Sequence, residues 1–286
     1  MHMKKALIAF VSLAALAACG QSAQQAPEAP AVQLYALDCG RVTVSDAGMF
    51  ADNGALDGQT RDLVDPCYLI RHPDGDLLWD TGLGDAIADA PEGRVVNGPF
   101  TLRVPARLAD QLAQLELTPA DIEFVSISHS HFDHVGNAGL FTASTWLLDA
   151  DERAWMFRDE ARGAEEFAVI APIENAPTRA LEGDGDTDVF GDGSVVIVQA
   201  PGHTPGHDVL LVRLPNAGPV LLTGDMWHMS ESREQRLVPA FNVDRAQTIA
   251  SMDKVEALAT ETGARVIRQH VPEDFDALPR FPAALN

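Results

Sequence analysis

Positive charge is what this sequence has least of. Its 286 residues carry 20 Lys and Arg against 42 Asp and Glu, a formal charge of −22. A surface of that sign repels phosphate backbones and anionic headgroups, which argues against nucleic acid as substrate or partner and disfavours polyphosphates. Cysteines number three and tyrosines two. Three cysteines are too few for a disulfide-knitted scaffold, and neither Cys39 nor Cys67 has the spacing of a metal site. No unit repeats at a fixed short period, which removes solenoids and propellers. The N-terminal apolar stretch is too short to span a bilayer as a permanent helix. What remains is a chain with an ordinary apolar fraction of 46%, long enough to bury a substantial core.

The first residues read as an address rather than as fold. Lys4-Lys5 is a positive start, Ala6 to Ala17 a short apolar stretch, and Leu16-Ala17-Ala18-Cys19 closes it with small residues before a cysteine. Leu-Ala-Ala-Cys resembles the lipobox of bacterial lipoproteins, which implies removal of residues 1–18 and a lipid on Cys19. A plain secretory signal cleaved nearby is the other reading. Both export the chain, the first as a lipid-anchored protein facing the periplasm or the exterior. Residues 19–31, rich in Gln, Ala and Pro, read as a flexible tether, and 32–286 as the folded domain. In an oxidising compartment Cys39 and Cys67 are either bridged or two separate buried thiols.

The chemistry concentrates in His129-Ser130-His131-Phe132-Asp133-His134. This stretch follows the apolar run Phe124-Val125-Ser126-Ile127-Ser128, which reads as a buried strand, so the histidines fall where a strand gives way to a loop. Residues two apart on an extended chain face the same way. His129 and His131 can therefore address one point while Asp133 and His134 turn to a neighbouring one. Imidazole and carboxylate together suit zinc, with manganese and iron compatible on ligand type. The bland alternative is a solvated loop, and three of the chain's nine histidines packed into six positions argue against it.

Around this stretch the chain alternates strands and helices. Strands are expected at Val32–Leu37, Cys67–Arg71 and Asp76–Asp80, the last two joined as a hairpin, with a long loop over Asp46–Asp65. Helices are expected at Pro105–Leu115 and Asp149–Arg162, and strands at Ser144–Leu148, Ser194–Gln199, Asp208–Leu214 and Pro219–Thr223. A long amphipathic helix, Asp244–Thr262, then leads into a last strand, Arg265–Gln269. The acidic segment Glu182–Gly193 lacks the ligand spacing of an EF-hand and reads as a solvated loop. Two runs of strands, each ending in helix, fit an α/β sandwich of two sheets packed face to face with helices outside. Three more ligand candidates sit at strand ends in that scheme: His203 in the turn Pro201-Gly202-His203-Thr204-Pro205-Gly206-His207, Asp225 after Leu221-Leu222-Thr223-Gly224, and His270.

Taken in order, Asp80-Thr81-Gly82, HSHFDH, PGHTPGH, TGD and the last-strand His270 resemble the metallo-β-lactamase-fold hydrolases over nearly the whole chain beyond the tether. The resemblance implies an αβ/βα sandwich of two mixed sheets with external helices, and two divalent metal ions, zinc first, at the edge between the sheets. It implies His129, His131 and His203 on one ion, Asp133, His134 and His270 on the other, and Asp225 across both. A bridging aspartate looks more like the lactonase, glyoxalase and phosphodiesterase branches than the true β-lactamases. The implied chemistry is hydrolysis by a hydroxide bridging the ions, with Asp133 passing its proton to the leaving group. His207 either orients a ligand or the adjacent turn, or is a simple turn residue.

Within that family the PGHTPGH turn and the close His270-Val271-Pro272-Glu273-Asp274-Phe275 look most like the N-acyl homoserine lactone lactonases, which open a lactone ring by attack at its ester carbonyl. Those enzymes commonly carry a tyrosine three residues after the bridging aspartate. Here that place is His228, and the chain's two tyrosines, Tyr35 and Tyr68, lie elsewhere. An imidazole N–H in place of the phenol would serve as the oxyanion donor and make the rate more pH-sensitive. Met49, Phe50, Phe100, Leu102 and Met229 are candidates for an acyl groove, each at least as well explained by packing.

Two further readings stand beside this one. The first is a hydrolase of another bond: a β-lactam, a phosphodiester or a thioester. Its glutathione-thioester version lacks the basic C-terminal patch, because Asp274–Asn286 holds only Arg280. The second is a non-catalytic metal-binding lipoprotein, against which stand seven intact ligand positions. The expected partner is a small ester or lactone, with oligomeric state open.

Overall fold

Residues 33–44 and 61–72 alternate sides as extended chain must, and they form the ladder on which the first sheet is built. In the computed structural model, which describes residues 31–90, 92–96, 98–164, 167–181 and 185–286, β1 (Gln33–Val44) runs antiparallel to β2 (Arg61–His72). A hairpin adds β3 (Gly75–Trp79). β4 (Arg94–Val96) and β5 (Phe100–Arg103) extend the β1 side. On the other side β6 (Phe124–Ser126), β7 (Thr145–Asp149) and β8 (Thr178–Leu181) add on in parallel. The order is β4-β5-β1-β2-β3-β6-β7-β8.

The second sheet holds β9 (Thr187–Asp188), β10 (Val195–Gln199), β11 (Asp208–Leu214), β12 (Gly218–Leu222) and β13 (Arg265–Ile267) in the order β13-β12-β11-β10-β9. Its β12–β13 pair is parallel and the rest antiparallel, so both sheets are mixed. Period-two alternation sets the layers. Tyr68, Ile70, Leu77 and Trp79 face Ile197, Leu210, Val212 and Leu222 between the sheets. Their neighbours Leu69 and Leu78 point outward to Leu108 and Leu112 of the helix Leu108–Gln114. Behind the second sheet, Leu211 and Leu221 pack on Met252 and Val255 of the helix Arg245–Thr262. Each large side chain so buried contributes about 1.5–3 kcal/mol. The result is helix, sheet, sheet, helix: the αβ/βα sandwich of the metallo-β-lactamase fold.

Two departures from the sequence expectations stand out. β1 does not stop near Leu37 but continues to Val44 across a register shift between Asp38 and Arg41, and β2 begins at Arg61 rather than Cys67, so the intervening loop is shorter than Asp46–Asp65. The expected helix Asp149–Arg162 is two helices, Ala150–Met156 and Asp159–Arg162, because Phe157 turns into the core and Arg158 takes extended backbone. Cys39 and Cys67, bridged or separate on sequence alone, are joined in a disulfide between β1 and β2. Among the described residues no helix is long and apolar enough to cross a membrane. The expected signal, the lipidated Cys19 and almost all of the tether lie outside the described residues.

Candidate metal centre

Strand ends from both sheets meet at one edge and deliver seven polar side chains there. The loop after β6 brings His129 and His131, and the helical turn Phe132–Val135 presents Asp133 and His134. His203 sits in the turn between β10 and β11. This turn needs Gly202, whose φ is +129 and where a Cβ would lie 2.3 Å from the Thr248 backbone nitrogen. Asp225 follows β12 and His270 follows β13, two parallel neighbours whose ends emerge together.

The side chains converge in two groups that share a carboxylate. One oxygen each from Asp225 and one nitrogen each from His129, His131 and His203 lie within 4.8 Å of one another, as do one ligand atom each of Asp133, His134 and His270. Asp225 Oδ2 is 3.5 Å from His129 Nε2 and 3.4 Å from His203 Nε2. Its Oδ1 is 3.3 Å from His134 Nε2 and 2.8 Å from His270 Nε2. Both Asp133 oxygens lie 3.8 Å from a histidine nitrogen of the second group. Although these separations are short, Asp225 Oδ1 and His134 Nε2 are buried without a hydrogen-bond partner. His131 Nδ1 lies 2.8 Å from His129 Nε2 and 3.1 Å from His203 Nε2, so ring nitrogens and carboxylate oxygens crowd one small space, as ligand atoms around a common point do. A pair of divalent cations fits that donor set.

The far sides of the rings are occupied, which fixes their orientation. Asp80 accepts from the Ser128 backbone N–H at 2.6 Å and from its hydroxyl at 3.0 Å, and lies 3.0 Å from His134 Nδ1. The same hydroxyl is 3.1 Å from His129 Nδ1. His270 Nδ1–H donates to the Val64 carbonyl at 2.9 Å, and His203 Nδ1 sits 3.2 Å from Asn242 Oδ1. Burial, aided by neighbouring imidazoles, holds His129 and His131 well below the usual histidine range, so they are neutral donors. Burial works the same way on His134 and His270, but Asp225 and the other carboxylates outweigh it. His134 is pushed well above its usual range and His270 up to about 9. Burial would raise Asp225, and the surrounding imidazoles, His228 and His270 foremost, hold it well below the carboxylate range instead.

Beside the cluster opens a pocket of about 180 Å³. Met49, Phe50, Phe100, Phe132 and Phe241 form most of its wall, while His131, Asp133, Asp225, His228 and His270 form the polar floor. His228 is 2% exposed. Its ring lies 4.9 Å from Phe50 and stacks on His270 at 5.8 Å, and its Nε2 is 2.9 Å from Asp225 Oδ2 but outside hydrogen-bond geometry. Of the groove candidates, Met49, Phe50 and Phe100 line this pocket. Leu102 and Met229 do not, being buried in the packing beneath it. His207, left open between ligand support and turn residue, is wholly buried; its Nδ1–H donates to the Ala200 carbonyl at 3.1 Å, and burial pushes it down to about 3. Sequence reasoning assigned no role to Ser128, Asn242 or Glu152. Only Ser128 had a signal, its place immediately before the histidines.

Residues 61–270 match the model of the metallo-beta-lactamase superfamily. An N-acyl homoserine lactonase AttM of Azorhizobium caulinodans is 32% identical over 263 residues, covering 88% of this chain and 97% of that protein. An N-acyl homoserine lactonase of a Bacillus species is 28% identical over 257 residues, covering 87% and 97%. Among solved structures, an N-acyl homoserine lactone hydrolase with the product N-hexanoyl-L-homoserine bound at its catalytic metal centre superposes with a TM-score of 0.75 at 23% identity, covering 89% of this chain and 99% of that one. The dizinc quorum-quenching lactonase AidC superposes with a TM-score of 0.62 at 17% identity, covering 88% and 89%. The last two likenesses speak to the fold.

Proposed function

This chain belongs to the metallo-beta-lactamase superfamily, and from that premise we propose that it is a dinuclear-metal hydrolase opening the ring of N-acyl homoserine lactones or related esters. One observation carries the reading. Asp225 faces one group of histidines through Oδ2 and the other through Oδ1, at the floor of an apolar pocket, in a chain homologous to N-acyl homoserine lactonases. In this reading His129, His131 and His203 hold one ion, Asp133, His134 and His270 the other, and Asp225 is shared. When bound, two zinc ions supply acidification of a water and polarisation of a carbonyl oxygen.

The chain's own groups do the rest. The aromatic wall excludes water and takes the acyl chain, leaving the lactone over the polar floor. An imidazole N–H of His228 donates to the carbonyl oxygen as it gains negative charge, the part the family's tyrosine plays. Asp133, whose side chain is 15% exposed at the pocket floor, accepts a proton as water adds to the carbonyl carbon. It returns that proton to the ring oxygen as the ester C–O bond breaks, leaving a hydroxyl and a carboxylic acid, which then gives up its own proton to solvent as a carboxylate. Asp133→Asn with both metal and rate retained would remove it from this part.

Metal analysis followed by a panel of homoserine lactones of several chain lengths, nitrocefin and bis-p-nitrophenyl phosphate tests the proposal. Two equivalents of metal and lactone turnover are expected. A metal-loaded protein that cleaves nitrocefin or the diester and leaves every lactone intact would overturn it.

We also propose export and lipid anchoring at Cys19, supported by Lys4-Lys5, the short apolar stretch and Leu16-Ala17-Ala18-Cys19. Cys19→Ala should move the protein out of the membrane fraction, and wild-type protein found in the cytoplasm would sink the idea.

A further inference from the structure

Three loops that carry the metal-binding candidates are tied together by two buried side chains outside the cluster. Glu152, in the first turn of the helix Ala150–Met156 and 2% exposed, accepts from the Ser130 backbone N–H at 2.7 Å and from the Ser130 hydroxyl at 2.6 Å, both at Oε1. Its Oε2 accepts from the Gly206 backbone N–H at 3.1 Å. Ser130 lies between His129 and His131, and Gly206 lies in the turn that carries His203. The next residue, His207, makes the second tie. Because its Nδ1 holds the proton donated to the Ala200 carbonyl, Nε2 is left as an acceptor, and the Asp225 backbone N–H donates to it at 3.0 Å.

The approach leaves no room for a Cβ at either glycine. A Cβ on Gly206 would stand 2.4 Å from the Glu152 backbone nitrogen, and one on Gly224 would stand 2.8 Å from His207 Nε2. A carboxylate offers only acceptors, which suits three donors arriving from two loops. A neutral imidazole offers one donor and one acceptor at opposite sides of a rigid ring, which fixes the distance it spans. Neither side chain is among the residues whose ligand atoms converge in the two groups.

We propose that Glu152 and His207 are positioning residues forming one relay, from Ser130 through Glu152, Gly206 and His207 to Asp225, that sets the spacing of the His129–His131 loop, the His203 turn and the shared carboxylate, and thereby the zinc affinity of the first group. The inference rests on the metal reading above. Zinc titration of metal-free protein against a chromogenic chelator tests it, with thermal unfolding of the metal-free protein and the absorption spectrum of cobalt-loaded protein recorded alongside. Glu152→Gln keeps the shape but turns an NH₂ toward one set of donors, and should weaken zinc binding at the first group by about 10–100-fold. His207→Leu should do the same. His207→Gln restores an acceptor for the Asp225 N–H and should bind zinc nearly as the wild type does. The double variant Glu152→Gln/His207→Leu should lose little more than either single one, because the ties act in series.

A merely structural role would lower the unfolding temperature and leave zinc affinity and the cobalt spectrum of the folded variants unchanged; that result overturns the relay. It falls alone if the wild type binds two zinc ions and the variants match it. If the wild type takes up no zinc, the metal reading is overturned and the relay with it.

Discussion

The metal-binding edge and the apolar pocket share a floor but are built on opposite plans. At the edge, His129, His134, His203 and His270 have their outer nitrogens engaged by Ser128, Asp80, Asn242 and Val64, and all four are buried. The pocket wall is drawn from β1, the turn Ala47–Phe50, β2, β5 and the segment before the helix Arg245–Thr262, and its Phe241 is 38% exposed. Ring-to-ring contacts such as Phe50–Phe241 at 5.5 Å hold it together rather than directional bonds. A network of satisfied polar groups has one arrangement, and losing one member leaves others unpaired. An aromatic wall can repack. Substitutions should therefore have large effects at the edge and graded ones in the pocket.

The sharpest way to break that contrast is Asp225→Asn. Replacing one carboxylate oxygen with an amide removes a donor from one group and leaves the histidines there facing one another. Metal content should fall below two per chain, and lactone turnover should fall beyond the roughly 10²–10³-fold that loss of a single oxyanion donor costs. Elemental analysis with steady-state kinetics checks it, and full metal occupancy would contradict the shared-carboxylate reading.

The two halves of the edge should also differ from each other in their response to pH. His129 and His131 are held neutral, whereas His270, pushed up to about 9, and His134, well above its usual range, carry protons at neutral pH in the metal-free protein. Metal must displace protons from the second group and not from those two rings. Between pH 8 and pH 7 the affinity of the second group should fall by about tenfold for each proton displaced, while that of the first stays nearly flat. Isothermal titration in buffers of different ionisation enthalpy counts the protons, and equal counts at both steps would erase the distinction.

His228 tests the boundary, being part of the polar floor and packed on the aromatic wall. His228→Ala should lower kcat by about 10²–10³-fold and leave both metal ions in place. Loss of metal would make it part of the edge, and unchanged kinetics would make it only part of the wall.

The same contrast explains what the sequence made legible. The residue types that can bind metal are few, and here they stand at strand ends inside short motifs, so the seven side chains that the fold brings together could all be named beforehand. Their supports were harder to see. Asn242 is 39 residues from His203, in a segment with no helix or strand pattern, and Glu152 looked like any acid in a first helical turn. The pocket was legible only in part. An apolar side chain announces that it will be buried, not which space it will face, so Met49, Phe50 and Phe100 were anticipated while Val42, Leu63, Phe132 and Phe241 were not. Val42 could not be placed because Asp38 to Arg41 interrupts the alternation of β1 and hides the strand's continuation.

Phe241 is where the two regions come closest without merging. Its ring is 6.0 Å from those of His131 and His228 and 5.8 Å from that of His203. Its neighbour Asn242 holds the His203 ring at 3.2 Å and ties itself to the Gly202 carbonyl and the Thr248 hydroxyl. If the pocket is tolerant as its packing implies, Phe241→Ala should touch only binding. An exposed phenyl that covers part of an acyl chain contributes about 1 kcal/mol, so KM for long-chain lactones should rise roughly fivefold, with short-chain KM, kcat and zinc content unchanged. An equal rise for short and long chains would mean that the ring covers the lactone rather than the tail. A fall in zinc content would mean that the loop transmits the change through Asn242 to His203, and that the pocket wall and the metal edge are one mechanical unit.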